Sequence, residues 1–249
     1  MESFNKSKIA VILCGGKGLR MGGLTKKKPK PLLIVHGKPI IWYSISILLK
    51  YKFNKIIFPL GYRGKQIKKY ILLNFKKYKE RFEFVDTGVN SSVSQRMHKI
   101  KNHIPEKENF IIINSDTIFK FNLDELIKEH KKNNNWLTLV SVDLAVKWGL
   151  IIFHKNKLIS FDRSRTVSFL KIKNNLNYFG LINSGIAMLN KQILTLSKDT
   201  DYDFESKVYK EAIKIKKAGH MKLKGLWYPI DTDKDLKLIN VNNQIIKKF

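Results

Sequence analysis

The sequence predicts an α/β fold, a mixed and mainly parallel sheet flanked by helices, with a smaller β-rich part in its second half. Three observations predict it. Apolar runs at 9–13, 55–60, 82–85 and 110–114 are continuous rather than alternating, so each reads as a strand covered on both faces. Amphipathic stretches at 40–51, 65–77, 93–103 and 123–133 intervene, and strand–helix alternation implies crossover helices over a parallel sheet. From Trp136 the pieces become short and β-rich, at 137–142, 150–153, 157–161, 167–172 and 182–189, with turns at 155–156 and 174–175.

Taken in order, the first strand runs straight into a glycine-rich turn containing Gly15, Gly16, Gly18, Gly22 and Gly23. Cations are threaded through it: Lys17, Arg20, Lys26, Lys27, Lys28 and Lys30. Glycine lets backbone N–H groups approach an anion, and lysine and arginine supply the countercharge, so the stretch reads as a phosphate cradle. Neither GxxxxGK[ST] nor GxGxxG is present, which sets aside the two most familiar nucleotide loops. Cys14, at the end of the first strand, reads as a small buried hydrophobe. The fourth strand is followed by Asp116, a carboxylate at a strand end, where open α/β sheets bind their ligands. Helices at 203–217 and 233–246 flank a strand at 221–223 and the segment WYPIDT at 227–232. Asp231 in that segment could bind a cation or cap the last helix, as could Thr232 or Asp233. Neither repeat nor linker divides the chain, so 1–249 reads as one domain.

Composition narrows the class. No apolar run approaches the ~20 residues of a membrane span. The first residues, MESFNKSK, lack a signal-peptide core, and one cysteine permits no internal disulfide, so a cytoplasmic protein is expected. The net charge of +28 would suggest nucleic acid, yet 42 of the 48 cations are lysines spread along the whole chain. A dedicated nucleic-acid surface favours clustered arginine with stacking aromatics, so small anionic substrates are expected instead. The six histidines show no metal spacing, and the four tryptophans read as core, with Trp227 the exception to watch.

The loop continues as KPKPLL and GKP, and further landmarks follow: GYRG at 61–64, VDTG at 85–88, Arg96, Asp116, INSG at 182–185 and WYPIDT. In this order, over most of the chain, they resemble the sugar-phosphate nucleotidyltransferases, whose signature is GGxGTRL followed by PKP and GKP. The likeness is strongest to the glucose-1-phosphate cytidylyltransferases. The resemblance implies a Rossmann-like sheet of the nucleotide-diphospho-sugar transferase type, with about 1–135 as the nucleotide half and about 136–249 as the acceptor half. It implies transfer of CMP from CTP to a small phosphorylated acceptor, with release of pyrophosphate and Mg²⁺ bridging the phosphates. Arg20 and Lys30 would be the catalytic cations on the phosphates, and Asp116 and Asp231 the metal ligands. Leu13, Gly15, Gly16, Gly18, Gly88, Ser91, Arg96 and Ser115 would complete the nucleotide site, the VDTG turn and Arg96 reading base and ribose. Asn183 and Gly185 would face the acceptor.

The departures fall mainly on the acceptor side. Leu19 replaces the usual threonine of the loop. Where the family has EKP, whose lysine grips the sugar phosphate, this chain has Asp162-Arg163-Ser164-Arg165, so Arg163 and Arg165 are expected to take that role. Ser184 stands for a glycine and would narrow the space beside a sugar ring, and the insertion typical of the glucose enzymes before VDTG is missing. The acceptor is therefore expected to be glucose 1-phosphate or a smaller capsule-type acceptor such as phosphoglutamine. A UTP- or dTTP-dependent enzyme is the alternative within the class, and a non-catalytic nucleotide or nucleic-acid binder the alternative outside it. The sequence leaves homo-oligomerisation open.

Overall fold

The computed structural model describes residues 8–145, 150–154, 157–162, 166–167, 169–173, 176–197 and 203–242. Its centre is a seven-stranded sheet. The strands are β1 (Ile9–Leu13), β2 (Lys55–Leu60), β3 (Phe82–Asp86), β4 (Asn109–Asn114), β6 (Leu137–Val142), β7 (Ile182–Asn190) and β8 (Ala218–Lys222). Two further strands, β5 (Thr117–Lys120) and β9 (Leu226–Pro229), form a separate antiparallel ribbon. The spatial order is β8-β6-β7-β4-β1-β2-β3, and β7 alone runs against its neighbours. The sheet is thus mixed and mainly parallel, as the apolar runs imply.

Alternation along each strand sorts the side chains into two layers. Ala10, Ile12, Ile56, Phe58, Ile111 and Ile113 pack on one face against α1 (Ile40–Lys50), α2 (Gly64–Asn74) and α4 (Leu123–Lys132). Ile9, Val11, Ile57, Phe110 and Ile112 pack on the other against α3 (Val93–Ile100) and the helical segment containing Phe204, Val208 and Ala212. Both faces are dry, which is why the strand sequences do not alternate. Local chemistry sets the helix starts: Ser92 and Gln95 form a reciprocal capping box on α3, and the Asn122 side chain accepts from the N–H groups of Asp124 and Glu125 on α4.

Several boundaries differ from expectation. The second helix stops at Asn74, with the chain tightening into a 3-10 turn at Lys76–Arg81. Helix α3 likewise ends at Ile100 and continues as a 3-10 turn to His103. The helix expected at 203–217 ends at Lys214, after a π-helical stretch at Glu205–Tyr209 followed by α5 (Lys210–Lys214). Strand β8 spans 218–222 rather than 221–223; as an edge strand carrying Gly219 and His220 it shows no apolar run at its start. The expected 167–172 strand is described as 166–167 and 169–173. The last helix, α6 (Asp233–Val241), is described to Val241, and the turns expected at 155–156 and 174–175, with Trp148, lie outside the described residues. No helix among the described residues is long and apolar enough to cross a membrane.

A buried histidine offers a pH test of this core. His130 of α4 is 1% exposed and lies between Thr138 Oγ1 at 2.9 Å and Asn109 Oδ1 at 3.2 Å. The amide oxygen can only accept, so Nε2–H donates to it and Nδ1 accepts from the threonine hydroxyl. Burial holds the imidazole down from 6.5 to about 4. As pH falls below 6.5 the unfolded chain takes up a proton that the folded chain refuses, so stability is lost between 6.5 and about 4 and levels off below. The loss should be on the order of 3 kcal/mol, read from urea midpoints across that window, and His130→Gln should remove most of it.

Candidate active site

The carboxyl ends of β1 and β4 and the turn after β3 open on a cleft of about 640 Å³, lined by residues 13–20, 30–31, 89–93, 96 and 114–116. Its floor is the glycine loop. Gly18 sits at φ 65°, where a β-carbon would press on Lys30 Cβ at 3.0 Å, so this position needs glycine on two counts. The loop then tightens into a 3-10 turn, Leu19–Thr25, and closes on itself through Thr25 Oγ1, which donates to Gly18 O at 3.2 Å. Leu19 is 79% exposed at its rim.

Pro29 and Pro31 bracket Lys30 at a short 3-10 turn, Lys30–Leu32, and restrict its backbone. Lys30 is 7% exposed, and its ammonium meets Asp116 Oδ2 at 2.7 Å and Asp231 Oδ1 at 3.4 Å. Arg20 Nη2, on an otherwise exposed side chain, reaches the same Asp231 oxygen at 3.1 Å. The two aspartates are brought together by the β5–β9 ribbon. Pro229 pairs with Thr117, and the Ile230 N–H donates to Asp116 O at 2.9 Å, so the residues that follow β9 and precede β5 are neighbours. Sequence reading did not find this ribbon, because Trp227 to Pro229 reads as a motif and not as a strand.

The alternative of Asp231 as a helix cap is resolved. Thr232 is the N-cap of α6, accepting from Asp235 N–H, while Asp235 Oδ2 accepts from the N–H groups of Asp231 and Thr232. The Asp231 carboxylate is left to face the two cations. Two converging carboxylates are a hard-oxygen donor set that suits Mg²⁺, which takes one or two carboxylates and completes its shell with phosphate oxygens and water. Among the described residues no third His, Cys, Asp or Glu joins them.

Of the other expected residues, Leu13, Gly15, Gly16, Ser91, Arg96 and Ser115 line the cleft, whereas Gly88 does not; it sits at φ 88° with its N–H on Asp86 Oδ1. Gly185 instead lines a smaller neighbouring cavity of about 150 Å³, at the irregularity of β7 between Asn183 and Ala187. Asn183 donates to Glu205 Oε2 at 3.0 Å, a partner that sequence reading missed. Ser184 does not narrow the site: it is buried, donates to Val140 O at 2.7 Å, and its own carbonyl accepts from Trp227 Nε1 at 2.9 Å. Trp227 thereby ties its strand to the turn at Ser184. Cys14 is buried, as expected, and burial pushes its thiol up to about 12. Arg163 and Arg165 lie outside the described residues.

The Lys30 cluster makes a stability prediction. Asp116→Ala leaves a nearly buried ammonium with its longer contact alone and should cost about 1–3 kcal/mol in urea unfolding. Adding Lys30→Met removes the stranded charge, so the double variant should be less destabilised than the sum of the singles; strict additivity would contradict the coupling.

Comparison with known proteins identifies the family and the fold. The model of the nucleotidyl transferase family matches residues 9–247. A Bacillus subtilis protein named "Probable glucose-1-phosphate cytidylyltransferase" is 29% identical, over 93% of this chain and 94% of that one. The glucose-1-phosphate cytidylyltransferase of Salmonella typhimurium is 24% identical, over 91% of this chain and 92% of its own. Among solved structures, a Bacillus anthracis protein assigned as a glucose-1-phosphate thymidylyltransferase superposes with a TM-score of 0.71 at 15% identity, covering 94% of each chain. The glycine loop, the paired carboxylates and a family match that spans nearly the whole chain lead to one statement: this protein belongs to the nucleotidyl transferase family.

Proposed function

We propose that the protein is a cytidylyltransferase that moves CMP from CTP to a small phosphorylated acceptor, forming a CDP-linked product and pyrophosphate. The observation that carries this is the meeting of Arg20, Lys30, Asp116 and Asp231 beside the glycine loop. In the reaction an acceptor phosphate oxygen attacks the α-phosphorus of the triphosphate; the new P–O bond forms as the bond to pyrophosphate breaks. Both partners are anions, so the protein's task is to neutralise and align, and no covalent enzyme intermediate is required.

Each residue has a part in that task. The loop N–H groups cradle the phosphates and Arg20, free to swing on its exposed side chain, takes the β- and γ-phosphates and then pyrophosphate. Lys30, its backbone restricted by the flanking prolines and its ammonium held by the two aspartates, neutralises the α-phosphate region. Asp116 and Asp231 would hold Mg²⁺, which when bound supplies Lewis-acid charge between the phosphates. The two relatives named as cytidylyltransferases, DTG at 86–88 and the turn that follows it support cytidine as the base. We assign the acceptor phosphate to Arg163 and Arg165, which stand where relatives of this type carry a lysine, and the acceptor's remaining groups to the side of Asn183 and Gly185. Glucose 1-phosphate and phosphoglutamine are the two acceptors we propose to test.

The test is pyrophosphate release with CTP, UTP and dTTP, each against both acceptors. CTP should give the highest kcat/KM. Arg20→Ala and Lys30→Ala should each lower the rate on the order of 100-fold, as loss of a charge-stabilising donor does. Release with no pair, or a full rate in Asp116→Ala, would overturn the proposal.

A further inference from the structure

The GYRG turn and Arg96, the latter expected to read base and ribose, make a set of contacts to the glycine loop that the proposed reaction does not use. Gly15 O, in the first turn of the glycine loop, accepts from Tyr62 N–H at 2.9 Å and from Arg96 Nη2 at 3.1 Å. Arg96 is 4% exposed, and its Nη1 donates to Leu60 O at 3.2 Å and to Thr87 Oγ1. One guanidinium thus ties together the chain just beyond β1, β2 and β3. Its fit dictates two glycines: a β-carbon on Gly15 would overlap the guanidinium, and one on Gly61 would lie 2.6 Å from both Arg96 Nη1 and Gly15 O.

The far end of the loop is held by the same turn. Tyr62 Oη donates to Thr25 O at 3.0 Å, and Arg63 Nη2 donates to Lys26 O while its Nε donates to Tyr62 Oη at 3.0 Å. Arg63 adopts φ 52°, a left-handed conformation disfavoured for a side chain of this size. A second cation of α3 extends the brace: Lys99 Nζ donates to Thr87 O at 2.9 Å, and the Ser91 hydroxyl donates to the same carbonyl. Both ends of the phosphate loop and the turn after β3 therefore hang on Tyr62, Arg63 and α3.

We propose that Tyr62, Arg63 and Arg96 are positioning residues that hold the glycine loop in its phosphate-binding shape before ligand arrives, and that Arg96 does not select the base. This rests on the nucleotidyltransferase reading above for its kinetic arm and is independent of it for its chemical arm. A guanidinium with donors committed to three protein oxygens is a poor reader of a base edge, whereas a loop displaced by even 1 Å can cost on the order of 100-fold in a reaction governed by alignment.

The kinetic arm compares Arg96→Lys and Tyr62→Phe with the unaltered protein. Lysine keeps the charge without the fork, and phenylalanine keeps the ring without the bond to Thr25. Each should raise the KM for CTP, UTP and dTTP by one common factor, about tenfold or more, with the KM for the acceptor unchanged. A changed ratio among the triphosphates in Arg96→Lys would make Arg96 a base reader, and unchanged KM values in both variants would remove the positioning role. The chemical arm uses Cys14, the chain's single cysteine, buried next to Gly15. Iodoacetamide should label it slowly in the unaltered protein and at least severalfold faster in Tyr62→Phe and in Gly61→Ala, both still melting cooperatively by circular dichroism. Equal labelling in all three folded proteins would overturn the proposal even if no triphosphate is turned over.

Discussion

Two carboxylates that are far apart in sequence meet at one ammonium, and the rest of the structure is arranged to let them. Their oxygens lie 2.7 and 3.4 Å from one ammonium nitrogen. Two like charges no more than about 6 Å apart repel by on the order of 3 kcal/mol or more at an effective dielectric near 20, so Asp116 and Asp231 need a cation beside them whenever the cleft lacks ligand. Lys30 supplies it from a nearly buried position and Arg20 from an exposed one. The difference matters. A buried lysine between two prolines keeps its place, whereas an exposed arginine can follow a phosphate that enters and leaves.

Backbone geometry makes the meeting rigid. The β5–β9 ribbon joins the residue before one strand to the residue after the other through the hydrogen bond from Ile230 N–H to Asp116 O. Helix α6 then starts on its own cap, Thr232, and its own carboxylate, Asp235, so Asp231 is released from structural duty. In the same cleft the buried guanidinium of Arg96 donates to Gly15 O, Leu60 O and Thr87 Oγ1, the contacts on which the proposed positioning role rests. The diffuse lysine excess plays another part: a net charge of +28 sets a field that draws anions towards the cleft in a salt-dependent way.

Much of this was legible in the residues. The dry strands announced themselves as unbroken runs such as Ile9 to Leu13 and Phe110 to Ile113, because a sheet covered on both faces has no polar alternation. The glycine loop, the VDTG turn and Asp116 could be placed at strand ends from the residues alone, whereas Lys30 and Asp231 stood out only through the family resemblance. What could not be read was set by long-range pairing. The ribbon of Thr117–Lys120 with Leu226–Pro229 depends on a partner over a hundred residues away, and Pro229 argues locally against a strand. The inward turn of Ser184 goes with the irregularity in β7, and the burial of Arg96 with two carbonyls and a hydroxyl at or just past the ends of three separate strands. A cation on an amphipathic helix looks the same in sequence whether it faces water or a backbone.

The central claim is that Asp116 and Asp231 form one divalent-cation site that is completed by a triphosphate on the glycine loop. Electron paramagnetic resonance of Mn²⁺ titrated into the protein tests it without reference to turnover. The account predicts weak binding alone, much tighter binding with CTP, and loss of that gain in both Asp116→Asn and Asp231→Asn. Mn²⁺ that binds equally well with and without CTP, or that survives both substitutions, would contradict it.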